Sequence, residues 1–406
     1  MVIGIIGGGA SGMAAALAAA ENKNARVILL ERQSRMGRKL QATGNGRCNL
    51  TNLKAALSGY HGEDPAFAQP ALTAFDPEQT LRWFRGLGLY TVAEPSGRVY
   101  PYSDQANSVV DVLRLNLEKP NITVYTGFEV QKVRFDGGKF RIYGEEELVC
   151  DRLIVACGGL AGSKLGGTMS GYKLLAKFGH RSTRLRPALV QLKSDWEALP
   201  SLKGVRANCR AEILKDEQPL ISSSGELQFT EYGLSGPVIF EISRDVCSCP
   251  GRWVCRLDLL PEAEKEELLR ELLRRTETEL PAQELLTGIL HNRLGRVLTQ
   301  AAGVQLSKSC RELTEGQLRA VCGKVKALDV PLTEPMGMDS AQVTAGGALT
   351  EQFDPNTMES RLVPGLYACG EVLDIDGDCG GYNLQWAWSS GRLAGLSAGK
   401  DEHDQN

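Results

Sequence analysis

Val2-Ile3-Gly4-Ile5-Ile6-Gly7-Gly8-Gly9-Ala10-Ser11-Gly12-Met13-Ala14-Ala15-Ala16-Leu17 is the stretch that decides the fold. Its Ile-rich start reads as a buried strand, and the small residues after Gly12 read as a helix. Between them Gly7, Gly9 and Gly12 form G-x-G-x-x-G in the strand–turn–helix setting of a dinucleotide fingerprint. Gly7 permits the tight turn, Gly9 lets backbone approach a pyrophosphate, and Gly12 lets the helix pack on the strand. The helix N-terminus offers free N–H groups and a positive dipole end to the phosphates. A second strand, Arg26–Leu30, runs into Glu31, 24 positions after Gly7. The ribose-binding acid of such units stands about 20 residues on, which makes Glu31 its candidate.

The 406 residues give length for two or three domains of about 150 residues each. Forty-six basic and 49 acidic residues leave a net charge of −3, unlike the footprint of a nucleic-acid binder. No segment reaches the ~18 consecutive apolar residues of a membrane span. A strand that starts at residue 2 leaves no space for a signal peptide. The expectation is a cytoplasmic protein without nucleic-acid or membrane partners, whose eleven cysteines are mostly reduced thiols. With four histidines (His61, His180, His291 and His403) and no paired C-x-x-C, no metal site is expected.

After Glu31 the chain runs through Arg32, Lys39, Leu40 and Gln41-Ala42-Thr43-Gly44-Asn45-Gly46-Arg47-Cys48-Asn49-Leu50-Thr51-Asn52. This stretch reads as a loop, either solvated at the surface or lining a ligand with its backbone N–H groups. Helices are expected over Pro77–Gly86, Ser108–Glu118 and Ser170–Gly179. Strands are expected at Ile122–Tyr125 and Glu129–Phe135. Lys139–Tyr143 and Leu148–Cys150 read as a hairpin, with Glu145 to Glu147 as its solvated turn. Asp151-Arg152-Leu153-Ile154-Val155-Ala156-Cys157-Gly158-Gly159 reads as a further buried strand, whose small ending admits a cofactor or another backbone.

Composition changes near Arg186-Pro187. Short alternating segments at Leu189–Leu192, Ala211–Leu214, Leu227–Thr230 and Trp253–Leu257 indicate a β-rich module. Helices are then expected over Glu262–Leu280, with Leu268, Leu269, Leu272 and Leu273 on one side, and over Pro281–Ala302. Thr314 and Gln317 have the spacing of a capping box for another helix. β character returns at Gln342–Ala348 and Leu366–Gly370. The last expected helix is Leu384–Gly395, and the polar tail 400–406 is expected to fray.

The closing strand ends in Gly370-Glu371 and leads through a glycine loop into that helix. This order offers an acid to a polyol hydroxyl and a positive helix end to the N1/C2 carbonyl side of a reduced flavin. At this point the chain resembles the two-dinucleotide-fold flavoproteins, and more narrowly the BaiN-type family of bacterial FAD-dependent oxidoreductases. Bile-acid reductases and aminoacetone oxidases belong to that family. The resemblance is carried by Gly7–Gly12 with Glu31-Arg32, by Ala42–Asn52, by Gly225–Pro237, by Gly370–Asp374 and by Gly380–Gly391.

It implies an α/β fold: a discontinuous Rossmann-like FAD-binding domain over 1–190 and 340–406. An insert over 191–339 would have a β-rich part (191–260) and a helical part (261–330). It also implies that Gly7, Gly9, Ala10, Ser11 and Gly12 hold the pyrophosphate and that Glu31, with Arg32 beside it, meets the adenosine ribose. Val130 would lie near the adenine. Lys39, Leu40, Asn45, Gly46, Arg47, Cys48 and Asn49 would wrap the diphosphate and flavin. Ala156 and Gly158 would lie beside the cofactor, Gly370 and Glu371 at the ribityl chain, and Gly381, Tyr382, Asn383, Leu384 and Gln385 at the isoalloxazine. Two departures stand out: Ala156-Cys157-Gly158-Gly159 replaces the family's Ala-Thr-Gly-Gly, and Asp376-Gly377-Asp378-Cys379-Gly380-Gly381 replaces Asp-Gly-Tyr-Thr-Gly-Gly.

The implied activity is FAD-dependent hydride transfer to a small organic substrate, an enone-type double bond among the candidates. With one G-x-G-x-x-G, NADH or NADPH would dock transiently beside the flavin. The alternatives are an amine oxidase that makes peroxide, a flavin-dependent tRNA-modifying protein, and a redox sensor using Cys48 and Cys379. Tyr382 and Arg47 are candidate contacts to the reacting end. No pattern specifies a catalytic acid or an oligomeric state.

Overall fold

The structure, a computed structural model, describes residues 1–249 and 251–400. His403 and most of the tail expected to fray lie outside the described residues. The chain divides into two compact units, Met1–Pro187 with Gln342–Asn406, and Ala188–Ala341.

The parallel sheet of the first unit is built from β1 (Val2–Ile6), β2 (Arg26–Glu31), β3 (Ile122–Thr126), β4 (Arg152–Val155) and β5 (Leu366–Ala368), in the order β5-β4-β1-β2-β3. The chain leaves β1 for β2 on one side and later returns to β4 on the other. The switch point therefore lies at the carboxyl ends of β1 and β4, where sheets of this class bind ligands. Ile3, Ile5, Val27, Leu29, Leu153 and Ile154 are buried there, as strands covered on both faces require. The helices of this unit include α1 (Ala10–Ala19), α2 (Arg38–Ala42), α3 (Ser170–Lys177) and α4 (Tyr382–Gly399). Along α1 every residue from Ser11 to Ala19 is buried.

The expected loop 32–52 is partly regular. Gly37, at φ +70°, turns the chain into α2, and a 3-10 turn covers Thr43–Gly46. α2 is too short for a helical period to show in the sequence. The expected strand Glu129–Phe135 is Lys132–Asp136, paired with Lys139–Tyr143. Glu147 belongs to the next strand and pairs with Arg141 at 2.7 Å.

The second unit carries a sheet whose long hairpin, Arg206–Lys215 with Gln218–Phe229, absorbs two of the expected short segments. Helix Pro237–Ser248 was not expected in this β-rich stretch; it buries Val238, Ile239, Ile242 and Val246. The helix expected over Glu262–Leu280 is shorter, Lys265–Arg275, and Leu273 is exposed, not on the buried face. The single helix expected over Pro281–Ala302 is a 3-10 turn at Ala282–Glu284 followed by helix Asn292–Ala301. Gly288 at φ +82° breaks it, and the His291 side chain then caps the new start by accepting from Arg293 N. The capping box of Thr314 and Gln317 is present.

His180, in the first unit, is buried and lies flat on Phe353, with ring centroids 4.5 Å apart. Ser360 Oγ accepts from the backbone N–H groups of Leu362 and Val363, so its own hydrogen goes to His180 Nε2, 3.0 Å away. This arrangement suits a neutral ring, and burial holds the His180 pKa below its ordinary value. A folded-state pKa below the unfolded one means the unfolded chain takes up the proton first as pH falls. Stability from this site is full above about pH 6.5 and declines below it. His180→Gln should therefore flatten the fall in melting temperature between about pH 6.5 and pH 5. An unchanged slope would refute this role.

Candidate functional site

At the carboxyl end of β1 the glycines have separate tasks. A Cβ at Gly7, whose φ is +113°, would lie 2.3 Å from the Ala156 carbonyl oxygen, and one at Gly12 would lie 1.8 Å from the Gly7 oxygen. Both are demanded by the packing of turn, strand and helix. Gly9 has φ −80° and open space where a Cβ would be. No side chain caps the α1 N-terminus. The turn thus keeps room beside a helix N-terminus, which suits an anionic group.

Glu31 ends β2. Its carboxylate accepts from Gly8 N at 2.8 Å and from Gln33 N at 2.7 Å. Phe128 N donates to the Glu31 carbonyl, which draws the loop carrying the half-buried Val130 toward this acid. Arg32 is exposed and reaches the Gly166 carbonyl.

A second acid sits where β5 ends. Glu371 accepts from Lys39 Nζ at 2.7 Å and from Thr344 N at 2.8 Å. Gly159 makes room for it: a Cβ there would come within 2.4 Å of Glu371 Oε1 and of Thr344 Oγ1. Of the small residues after β4, Ala156 is buried, Gly159 serves Glu371, and Gly158 at φ +68° faces open space. A Cβ at Gly370 would lie 2.5 Å from Ser11 Oγ, so the turn after β1 and the end of β5 abut. Trp386 Nε1 donates to the Gly370 carbonyl and Ser390 Oγ accepts from Gly370 N, fixing α4 to the same point.

The N-terminus of α4 is also uncapped by any side chain. Gly381, at φ +105°, presses on Thr51, where a Cβ would meet backbone at 2.5 Å. Asn52 Nδ2 donates to the Gly380 carbonyl, which joins the Asn45–Asn52 stretch to the loop before α4. Asn45 and Gly46 are exposed in left-handed backbone. Asn49 is buried, and its Oδ1 has no hydrogen-bond partner. A buried acceptor without a donor is costly, so its presence here fits a ligand that brings an N–H or O–H.

Several of the expected cofactor residues have side chains engaged within the protein. The Leu40 side chain is in the core. Cys48 is fully buried, and burial pushes its thiol up to about 12, against a smaller opposing hydrogen bond from Thr43. Gln385 is fully buried too: its Oε1 accepts from Thr51 Oγ1, and its Nε2 lies at 2.9 Å from Phe75 O, Thr80 Oγ1 and Ser389 Oγ. Its side chain braces the base of the site. Arg47 turns to Asp104, to Glu94 and to the face of Tyr100, and the Asp104 hydrogen bond raises its pKa. Tyr382 donates its hydroxyl to the Lys54 carbonyl. Asn383 clasps Gly377, accepting from its N at 2.8 Å and donating to its O at 2.6 Å. Leu384 is half-buried. Tyr60, His61 and Thr344, which the sequence did not single out, belong to the same neighbourhood.

Residues 1–397 match the family described as HI0933-like protein Rossmann domain. The chain belongs to this family. It is 41% identical over 404 residues to the 3-dehydro-bile acid delta(4,6)-reductase of Clostridium scindens, covering 98% of each chain. It is 33% identical over 387 residues to the ribosomal RNA dihydrouridine synthase of Escherichia coli, covering 95% of each. Among solved structures, the 3-ketosteroid delta1-dehydrogenase from Sterolibacterium denitrificans superposes with a TM-score of 0.50 at 12% identity, covering 98% of this chain and 99% of that one, a likeness of fold. This HI0933-like chain is an FAD-dependent oxidoreductase. Among its described residues no helix is long and apolar enough to cross a membrane.

Proposed function

We propose that this protein binds FAD and saturates a carbon–carbon double bond conjugated to a carbonyl in a small organic molecule, with NADH or NADPH as reductant. The observation that carries the reading is 41% identity, over almost the whole of both chains, to a delta(4,6)-reductase of a 3-dehydro bile acid. When bound, FAD relays a hydride between a nicotinamide and the substrate.

The chain's own residues supply the cradle. Gly7, Gly9, Ala10, Ser11 and Gly12, with the α1 N-terminus, hold the pyrophosphate. Glu31 meets the adenosine ribose, with Val130 near the adenine. Glu371, positioned by Lys39 and Thr344, meets the ribityl chain. Asn49 Oδ1 takes a cofactor N–H or O–H, and the positive end of α4 favours the negative charge of the reduced ring. The first unit is on this reading the FAD domain and residues 191–339 its insert. Eleven cysteines, expected as reduced thiols, fit a reducing compartment, the cytoplasm.

A second reading is favoured by the dihydrouridine synthase likeness. Uracil also holds a carbon–carbon double bond conjugated to a carbonyl, so the same chemistry on an RNA base is the alternative.

The test is an anaerobic visible spectrum of the FAD-loaded protein, titrated with NADH and then NADPH. A 3-oxo-4,6-diene bile acid is added afterwards. Bleaching by one nucleotide and return of the oxidised bands with the bile acid are expected. Flavin that no nucleotide reduces would remove the nicotinamide step. Reduced flavin reoxidised by ribosomal RNA alone would replace the small substrate with the RNA base.

A further inference from the structure

Saturating a conjugated double bond takes a proton as well as a hydride. Neither candidate contact is disposed to give one, since Arg47 is engaged by Asp104, Glu94 and Tyr100, and the Tyr382 hydroxyl donates to Lys54 O. We propose that His61, oriented by Asp378, delivers that proton; the assignment rests on the enone-reductase reading above.

The pair is built into the strand ladder beside the α4 N-terminus. Residues 60–61 run antiparallel to 376–377, with His61 opposite Asp376 and Tyr60 opposite Gly377. His61 Nε2 lies 2.7 Å from Asp378 Oδ1. A carboxylate only accepts, so Nε2 is the donor there. Nδ1 is then the nitrogen that can carry a transferable proton.

The backbone under both residues is fixed from several sides. Asp378 N donates to Gly59 O at 2.9 Å, Asn383 clasps Gly377, and Tyr60 donates its hydroxyl to Tyr382 O at 3.1 Å. The rings of Tyr60 and Tyr382, the first residue of α4, are 5.7 Å apart. A Cβ at Gly59 would lie 2.5 Å from the Tyr382 ring, and one at Gly377 would lie 2.7 Å from Tyr382 Cβ, so both glycines pack closely against the first residue of α4. Yet the side chains of His61 and Asp378 are 34% and 44% exposed. An ion pair that open adds little to stability. The bracing is out of proportion to that gain, and it matches the support that a preorganised reacting group needs.

No other histidine among the described residues is so placed. His180 is sealed against Phe353 and Ser360, and His291 caps a helix of the other unit. The ionisable groups around His61 are the carboxylates of Asp378 and Asp376 on the paired segment, Glu63 two residues on, Asp374, whose Oδ2 accepts from Glu63 N, and the phenols of Tyr60 and Tyr382.

The step balances simply. The carbon β to the carbonyl receives a hydride, with its electron pair, that originates in the reduced nicotinamide. The π bond breaks, and the α carbon takes the proton from His61 Nδ1, which solvent restores. The nicotinamide is oxidised and the enone reduced by two electrons. His61 is the catalytic acid and Asp378 a positioning residue.

Four measurements on wild type, His61→Gln, His61→Gly and Asp378→Asn test this. In the FAD-free protein, the downfield imidazole Nε2–H signal of His61 should be absent in H61Q and displaced in D378N. In the FAD-loaded protein, nicotinamide should reduce the flavin of H61Q within about twofold of the wild-type rate. Reoxidation by a 3-oxo-4,6-diene bile acid should slow about 100-fold or more, the size of a general-acid contribution. Added imidazole should restore part of that rate in His61→Gly. An H61Q reoxidation rate within threefold of wild type would overturn the proposal and leave the enone reading standing. A wild-type flavin that the bile acid does not reoxidise would overturn the enone reading and the proton donor with it.

Discussion

Gly9→Val should leave the FAD-free fold intact and abolish FAD binding. The two neighbouring glycines cannot separate structure from ligand. A Cβ at Gly12 would sit 1.8 Å from the Gly7 oxygen and one at Gly7 would sit 2.3 Å from the Ala156 oxygen, so any substitution breaks the strand–turn–helix unit itself. Gly9 differs on both counts. Its φ of −80° and ψ of −170° are open to any residue, and no atom stands within 4 Å of its added Cβ. The space it leaves is where a pyrophosphate would meet the α1 N-terminus. A valine there extends into the cradle, and its Cβ meets no protein atom within 4 Å. FAD affinity, read by quenching of flavin fluorescence, should fall at least about 100-fold, roughly 2.7 kcal/mol. The melting temperature of the cofactor-free variant should stay within a degree or two of wild type. Binding within threefold of wild type would mean that the turn does not hold the pyrophosphate.

The contrast among these glycines also shows what the sequence could disclose. Strand, turn, helix and Glu31 were legible because each follows from local spacing: a period, three glycines and an acid one strand later. Glu371 was legible for the same reason, as the acid that closes β5. Side chains inside the Lys39–Asn49 stretch were not. Nothing local distinguishes Asn49, whose Oδ1 waits for a donor, from Cys48, which left-handed backbone at φ +62° accompanies into the core. Gln385 read as a flavin contact because it opens a helix at the site. Its partners Thr51, Phe75 and Thr80 come from about 300 residues away in sequence, and only the folded chain brings them to it. His61 was read only as one of four histidines, because a two-residue strand has no readable period and its partner ladder lies at the other end of the chain. Helix Pro237–Ser248 was missed among strands although its buried positions do follow a helical spacing. The full extent of α4, four residues longer at its end than expected, was hidden because it is buried on most sides and shows no polar face.

That burial sets the second large effect. α1 and α4 run side by side in parallel register through small residues: Gly391 against Ser11, Gly395 against Ala15 and Gly399 against Ala19. Spacing by four on both helices puts one backbone directly against the other. Ala in place of Gly within a helix should stabilise by about 0.8–1.0 kcal/mol on propensity alone. At Gly395 the sign should reverse, because the new Cβ would lie 2.3 Å from the Ala15 carbonyl oxygen, and backbone cannot step aside as a side-chain end can. Gly395→Ala should lose about 2–3 kcal/mol, the upper range for overpacking. Gly399→Ala, whose Cβ would stand 3.2 Å from Ala19 O, should be close to neutral. Hydrogen exchange at the amides of Ala15 to Ala19 would show the loss where it arises. The damage should reach the site as well. Trp386 and Ser390, on the same helix, hold Gly370 by its carbonyl and its N–H, so a displaced α4 shifts the Gly370–Glu371 turn. FAD affinity should therefore fall together with stability in G395A and with neither change in G399A. Equal stability of the two variants would mean that the α1–α4 contact is soft, and that the glycines on α4 answer to something other than this close approach.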